Sequence, residues 1–144
     1  MFKRSLLLLL ALASPAAAHD TWVETNTNVV RCGDAIHVDL KLGNHGNDHR
    51  DFKLAGKVKL EGCTLDVIAP DGTAYDLRPR LADTGYAPQE GFWTARFAAS
   101  EPGLYLVAHT LDQVVHYAPV RSIKSAKTFF VLSNSLDRVP LDHP

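Results

Sequence analysis

From Ile36 to Leu42 the chain alternates: Ile36, Val38, Leu40 and Leu42 are apolar, with His37, Asp39 and Lys41 between them. A period of two puts the two sets on opposite faces of a strand, which predicts a half-buried strand with a polar outer face. Val58 and Leu60 keep the apolar set on even numbers, but Cys63, Leu65 and Val67 carry it on odd numbers. Gly62 stands at the change and predicts a bulge or a bend. Pro70-Asp71-Gly72 predicts a turn, because proline presets φ and glycine supplies a positive one. A short strand over Ala74 to Leu77 then completes a hairpin. Residues 78–91 hold prolines, glycines and polar side chains and read as a loop. Phe92 to Ala98 reads as a strand with Trp93, Ala95 and Phe97 on one face. After a turn at Glu101-Pro102-Gly103, Leu104 to His109 is apolar on both faces, as in a central buried strand. Ala126 to Leu132 is similar. No segment shows a capped amphipathic helical pattern. The expected fold is all-β, an antiparallel immunoglobulin-like β-sandwich of about seven short strands. An open barrel is the alternative.

The first 18 residues do not share this pattern. Met1-Phe2-Lys3-Arg4 is a short basic start, Leu6 to Ala13 is apolar, and Ala16-Ala17-Ala18 is a run of small residues. That order predicts a cleavable secretory signal peptide over residues 1–18. The apolar run is too short for a spanning helix, which needs roughly 20 residues. A β-sandwich domain is expected over residues 19–133, with residues 134–144 a polar tail or a truncated linker. An extracytoplasmic, periplasmic location follows as an expectation.

Charge changes the picture only by exclusion. Fifteen Lys and Arg against 16 Asp and Glu give a net charge of −1, without the basic patch of a nucleic-acid binder. Arg121, Lys124 and Lys127 form a sparse cluster that reads as a solvated edge. Cys32 and Cys63 belong to a chain read as exported, so a disulfide is chemically allowed. Pairing needs Cα atoms within about 7 Å, and two separate buried thiols stand as the alternative.

Histidine is where chemistry can concentrate. Cleavage after Ala18 gives His19 a free α-amine beside its imidazole, and together they can chelate a metal in a small ring. Their ordinary pKa values, near 8 and 6.5, free both nitrogens around neutral pH. Copper(II), nickel(II) and zinc accept such ligands, and Asp20 can add an oxygen. A frayed terminus is the bland reading. His45 and His49 lie in Gly43-Asn44-His45-Gly46-Asn47-Asp48-His49. Their spacing falls within that of zinc-ligand pairs, while the composition is that of a polar surface turn. His109 and His116 each read as a hydrogen-bonded structural histidine. His37 reads as exposed, and His143 lies in the tail. Trp22, Trp93, Tyr75 and Tyr86 can be taken as an aromatic sugar-binding face, but core packing is the better reading. There is no nucleophile elbow, HExxH, P-loop or dinucleotide fingerprint.

The mature start Ala18-His19-Asp20-Thr21-Trp22-Val23-Glu24, the Gly33-Asp34 pair before a strand, the Gly43-Asn44-His45 loop and Glu101-Pro102-Gly103-Leu104-Tyr105 together resemble the DUF4198 family, exported proteins associated with nickel or cobalt uptake. The resemblance covers most of the mature chain and corresponds to the family's N-terminal domain, since members commonly continue into a second β domain. It implies a non-catalytic periplasmic accessory that binds a divalent transition metal and hands it to a separate membrane transporter. His19 and His45 are the implied ligands, with His49 as a further candidate. Nickel or cobalt is the implied cargo, with copper or zinc also accommodated. Two other readings compete. One is a structural or interaction module of the cell envelope with no metal site. The other is a copper-dependent oxidative enzyme, because an N-terminal histidine with a second histidine on a β-sandwich resembles a histidine brace.

Overall fold

The alternation from Ile36 to Leu42 becomes β3 (Ala35–Gly43). Its even residues Ile36, Val38 and Leu40 are sealed in the interior, and His37 on the other face is exposed. The computed structural model describes residues 20–43, 57–85, 90–115 and 119–135. Ahead of β3 come β1 (Asp20–Thr25) and β2 (Val29–Arg31). After it come β4 (Cys63–Ile68), β5 (Ala74–Asp76), β6 (Ala82–Asp83), β7 (Trp93–Ala98), β8 (Gly103–Val115) and β9 (Val120–Ser133).

These strands form two sheets. One has four strands in the order β1-β3-β7-β6, the other five in the order β2-β9-β8-β4-β5. All pairings are antiparallel except that of β2 with β9, which is parallel. The N-terminal segment thus serves both layers: β1 adds to β3 in the first sheet, and β2 adds to β9 in the second. This is an all-β sandwich, as the alternation predicts.

The core lies between the sheets. Val38, Leu40, Ala95 and Phe97 face it from the first sheet, and Leu65, Val67, Tyr105, Val107 and Phe130 from the second. Tyr105 and Phe130 sit opposite one another in the β8–β9 ladder and stack at 5.1 Å. Phe97 meets Phe130 edge-on from the other sheet at 6.1 Å. Burying each such side chain contributes about 1.5–3 kcal/mol.

Three local expectations are refined. The change of parity at Gly62 is a turn between layers, not a bulge. Val58 is tied to the first sheet through the Trp93 indole N–H, which donates to its carbonyl (2.8 Å), whereas Cys63 opens β4 in the second. Gly62 has φ +71°, and a Cβ there would lie 2.3 Å from the Asp112 carbonyl oxygen. The stretch read as a loop holds a 3₁₀ turn, Arg78–Arg80, and the two-residue β6 on the edge of β7. Leu104 to His109 is not buried on both faces: its odd residues are sealed and its even ones half-exposed. It belongs to a far longer hairpin, paired from Gly103–Leu132 out to Val115–Val120.

Candidate functional site

β1 and β3 run antiparallel with Asp20 opposite Gly43, Trp22 opposite Lys41 and Glu24 opposite Asp39. Val23, Val38 and Leu40 face the core, so Trp22, Glu24, Asp39 and Lys41 share the outward face of the four-stranded sheet. Outward does not mean open here: Trp22 is 8% and Lys41 7% exposed. The Lys41 ammonium lies 2.7 Å from Glu24 Oε2 and 3.3 Å from Asp39 Oδ2. It also sits 4.7 Å from the centre of the Phe92 ring. The Trp22 indole N–H donates to the other oxygen of Glu24 at 3.1 Å. A buried cation needs such company, since an unpaired one loses its hydration without return. Sequence reading missed this cluster. Its one signal was Trp22 standing out of step with the apolar parity of its own strand.

A second polar group lies inside the sandwich. His109 is 1% exposed on β8. Its Nδ1 is 2.8 Å from the Thr64 carbonyl, an acceptor only, so Nδ1 carries the hydrogen. Nε2 then holds the lone pair of the neutral ring, and it has no hydrogen-bond partner among the described residues. Burial lowers the pKa of His109, and the bond to Thr64 opposes that only in part. Cys63 Sγ is 3.6 Å from Nδ1. Burial pushes the thiol up to about 11, with Arg78 pulling the other way and Asp66 and Asp76 adding to the rise. A protonated thiol facing an N–H is not an activated nucleophile. Cys32 and Cys63 are both free thiols, so the disulfide option is not realised.

The ligands implied by the sequence, His19, His45 and His49, lie outside the described residues, as do His116, His143 and Tyr86. Among the described residues no group of three or more His, Cys, Asp or Glu could hold a metal ion. What is described is the strand ends that lead to these histidines: Asp20 follows His19 directly, and Gly43 precedes Asn44-His45. The aromatic residues do not share a face. Trp22 is buried on the outward side of the first sheet, Trp93 is tied to Val58, and Tyr75 is 39% exposed at the edge of the second sheet.

A family model described as "Domain of unknown function (DUF4198)" matches residues 16–142. The chain belongs to the DUF4198 family. This DUF4198 chain is similar in structure to a DUF4785 family protein from Legionella pneumophila, with 16% identity and a TM-score of 0.46. That likeness covers 76% of the DUF4198 chain and 27% of the Legionella protein, so the chain spans less than a third of its length. No curated protein matches the chain.

Proposed function

We propose that this DUF4198 protein is an exported, periplasmic binder of a divalent transition metal, an accessory to nickel or cobalt uptake that passes the ion to a separate membrane transporter. The α-amine and imidazole of His19 chelate the ion, His45 closes the site, and His49 is the further candidate ligand. The protein acts by binding, without a chemical step. The signal-peptide pattern of residues 1–18 supports export, because it leaves His19 as the mature N-terminus.

The observation that carries the reading is the pairing of Asp20 with Gly43. His19 is covalently joined to the first of these residues, and His45 follows the second by two positions. Two residues of chain span at most about 7 Å, and paired strands lie about 5 Å apart. Both histidines are therefore tethered to the same end of the β1–β3 strand pair. His49 hangs on a longer tether from the same point. Copper binds nitrogen ligands of this kind tightest in the usual order, so nickel or cobalt loading would depend on what the transporter and its surroundings supply.

The test is calorimetric titration of the mature protein, beginning at His19, with nickel, cobalt, copper and zinc. Binding at micromolar Kd or tighter is expected, and it should be lost both in H19A and in a protein with one extra residue ahead of His19. Binding that survives both changes removes the terminal amine from the site. Affinity no tighter than tens of micromolar, roughly −6 kcal/mol, overturns the metal reading and favours an envelope module without a metal.

A further inference from the structure

At the other end of the sandwich two turns face each other. Pro70-Asp71-Gly72 joins β4 to β5, and residues 99–102 join β7 to β8. Both are firmly held. Asp71 Oδ1 accepts the Thr73 N–H at 2.9 Å, and the Gly33 N–H donates to the Ala99 carbonyl at 2.8 Å. Gly103 sits so close to Pro70 that a Cβ would lie 2.4 Å from Pro70 Cγ. Between the turns is a cavity of about 480 Å³, within the range of small-molecule sites.

Its lining has one chemical character. Among the described lining residues Asp71 and Glu101 supply carboxylates, Tyr75 supplies exposed aromatic surface, Tyr105 is 1% exposed, and none is basic. Tyr75 is braced edge-on by Phe97 at 5.5 Å and still 39% exposed. Tyr105 is stacked on Phe130, and its hydroxyl donates to the Glu101 carbonyl at 2.8 Å. Burial raises the pKa of that hydroxyl, and Tyr75, Cys32, Glu101 and Asp71 add to the rise. The Thr73 N–H holds the Asp71 carboxyl below the usual range, so it stays ionised at neutral pH. Across Pro70, the cavity adjoins an apolar groove of about 240 Å³ bounded by Ile68, Leu104, Leu106 and Phe129.

We propose that this cavity and its groove bind a small organic cation, an alkylammonium whose charged head sits among Asp71, Glu101 and Tyr75 and whose chain lies over Pro70 against Leu106 and Phe129. Carboxylates attract the charge, and an aromatic face favours an alkylated ammonium that has shed its water. The apolar chain gains from the groove what an open aliphatic surface loses in water. The site is distinct from that of the proposed metal. Ala35 of β3 pairs with Ala98 beside the cavity, whereas Gly43 pairs with Asp20. Eight residues of strand separate them, about 26 Å.

The experiment is titration of the mature protein with hexyltrimethylammonium, read by calorimetry and by the NMR shifts of the Tyr75 and Tyr105 rings. Hexyl sulfate, with the same chain and the opposite charge, is the control. The cation is expected to bind at least tenfold more tightly and to move both tyrosine rings. D71N and E101Q should each weaken it at least threefold and together at least tenfold. The amide keeps the Asx-turn acceptor at Asp71, and the Tyr105 hydroxyl bonds to the backbone of Glu101, so both variants retain the turns. H19A should bind the cation as the parent does, which keeps this result separate from the metal reading. Equal affinity for the two probes, or undiminished binding in D71N/E101Q, overturns the proposal.

Discussion

The outward faces of the two sheets reverse the usual relation between polarity and burial. On the four-stranded sheet the outward residues include Lys41, Glu24 and Asp39, and Lys41 is only 7% exposed. On the five-stranded sheet they include Phe129, Ile123 and Val114, each 57% exposed or more. The difference teaches that partners decide what can be covered. Lys41 is covered because two carboxylates and a ring lie within its reach. Phe129 is open because its neighbours on β8 and β4, Leu106 and Ile68, lie in the same plane of the same sheet, and a flat row cannot cover itself.

The sharpest probe of this contrast is one aromatic truncation on each face. W22A should cost about 3–4 kcal/mol, the usual loss for a buried aromatic, and F129A less than about 1 kcal/mol. Urea unfolding measures both, and equal losses would break the comparison. Next is the charge itself. K41A removes the buried ammonium that Glu24 and Asp39 share and should cost about 3 kcal/mol. K41M keeps the packing of the stem, so a smaller loss in K41M would divide packing from charge.

His109 provides a reference between the faces. Its folded pKa lies below the ordinary 6.5, so the unfolded chain binds the proton more readily. The stability that follows from this is complete above pH 6.5 and falls as the pH drops below it toward the depressed folded value. H109L should flatten the stability profile below pH 6.5. At pH 8 it should cost under about 1 kcal/mol, because it removes one hydrogen bond but also a buried nitrogen that has no partner among the described residues. An unchanged slope would mean that another group titrates there. Smallest of all, I123S and V114S on the open face should stay within about 0.5 kcal/mol of the parent. A larger loss would show that this face is covered in solution.

Much of the sandwich was legible in the residues. Ile36 to Leu42 announced β3, Pro70-Asp71-Gly72 the β4–β5 turn, and Trp93, Ala95 and Phe97 the inward face of β7. The outer reach of the β8–β9 hairpin was not. Between Thr110 and Ser125 neither strand has a fully buried face, so no period of two is imprinted there. β1 was hidden for a related reason: Trp22 and Val23 are adjacent yet both buried, one outward under the charged cluster and one in the core. The contact of Cys63 with His109 joins residues 46 apart, which no local pattern can reveal. The histidines of the proposed metal site were read from residue type and position, and the pairing of Asp20 with Gly43 adds a spatial reason that the sequence lacked.

The parallel seam between β2 and β9 bears on how the molecule answers to force. Val29, Val30 and Arg31 run beside Val131, Leu132 and Ser133 in the same direction, so the chain enters β2 at one end of the seam and leaves β9 at the other. Tension applied from the two sides loads its hydrogen bonds in shear, together, whereas a hairpin pulled at its open end yields one bond at a time. Under such a load these three residue pairs would resist together.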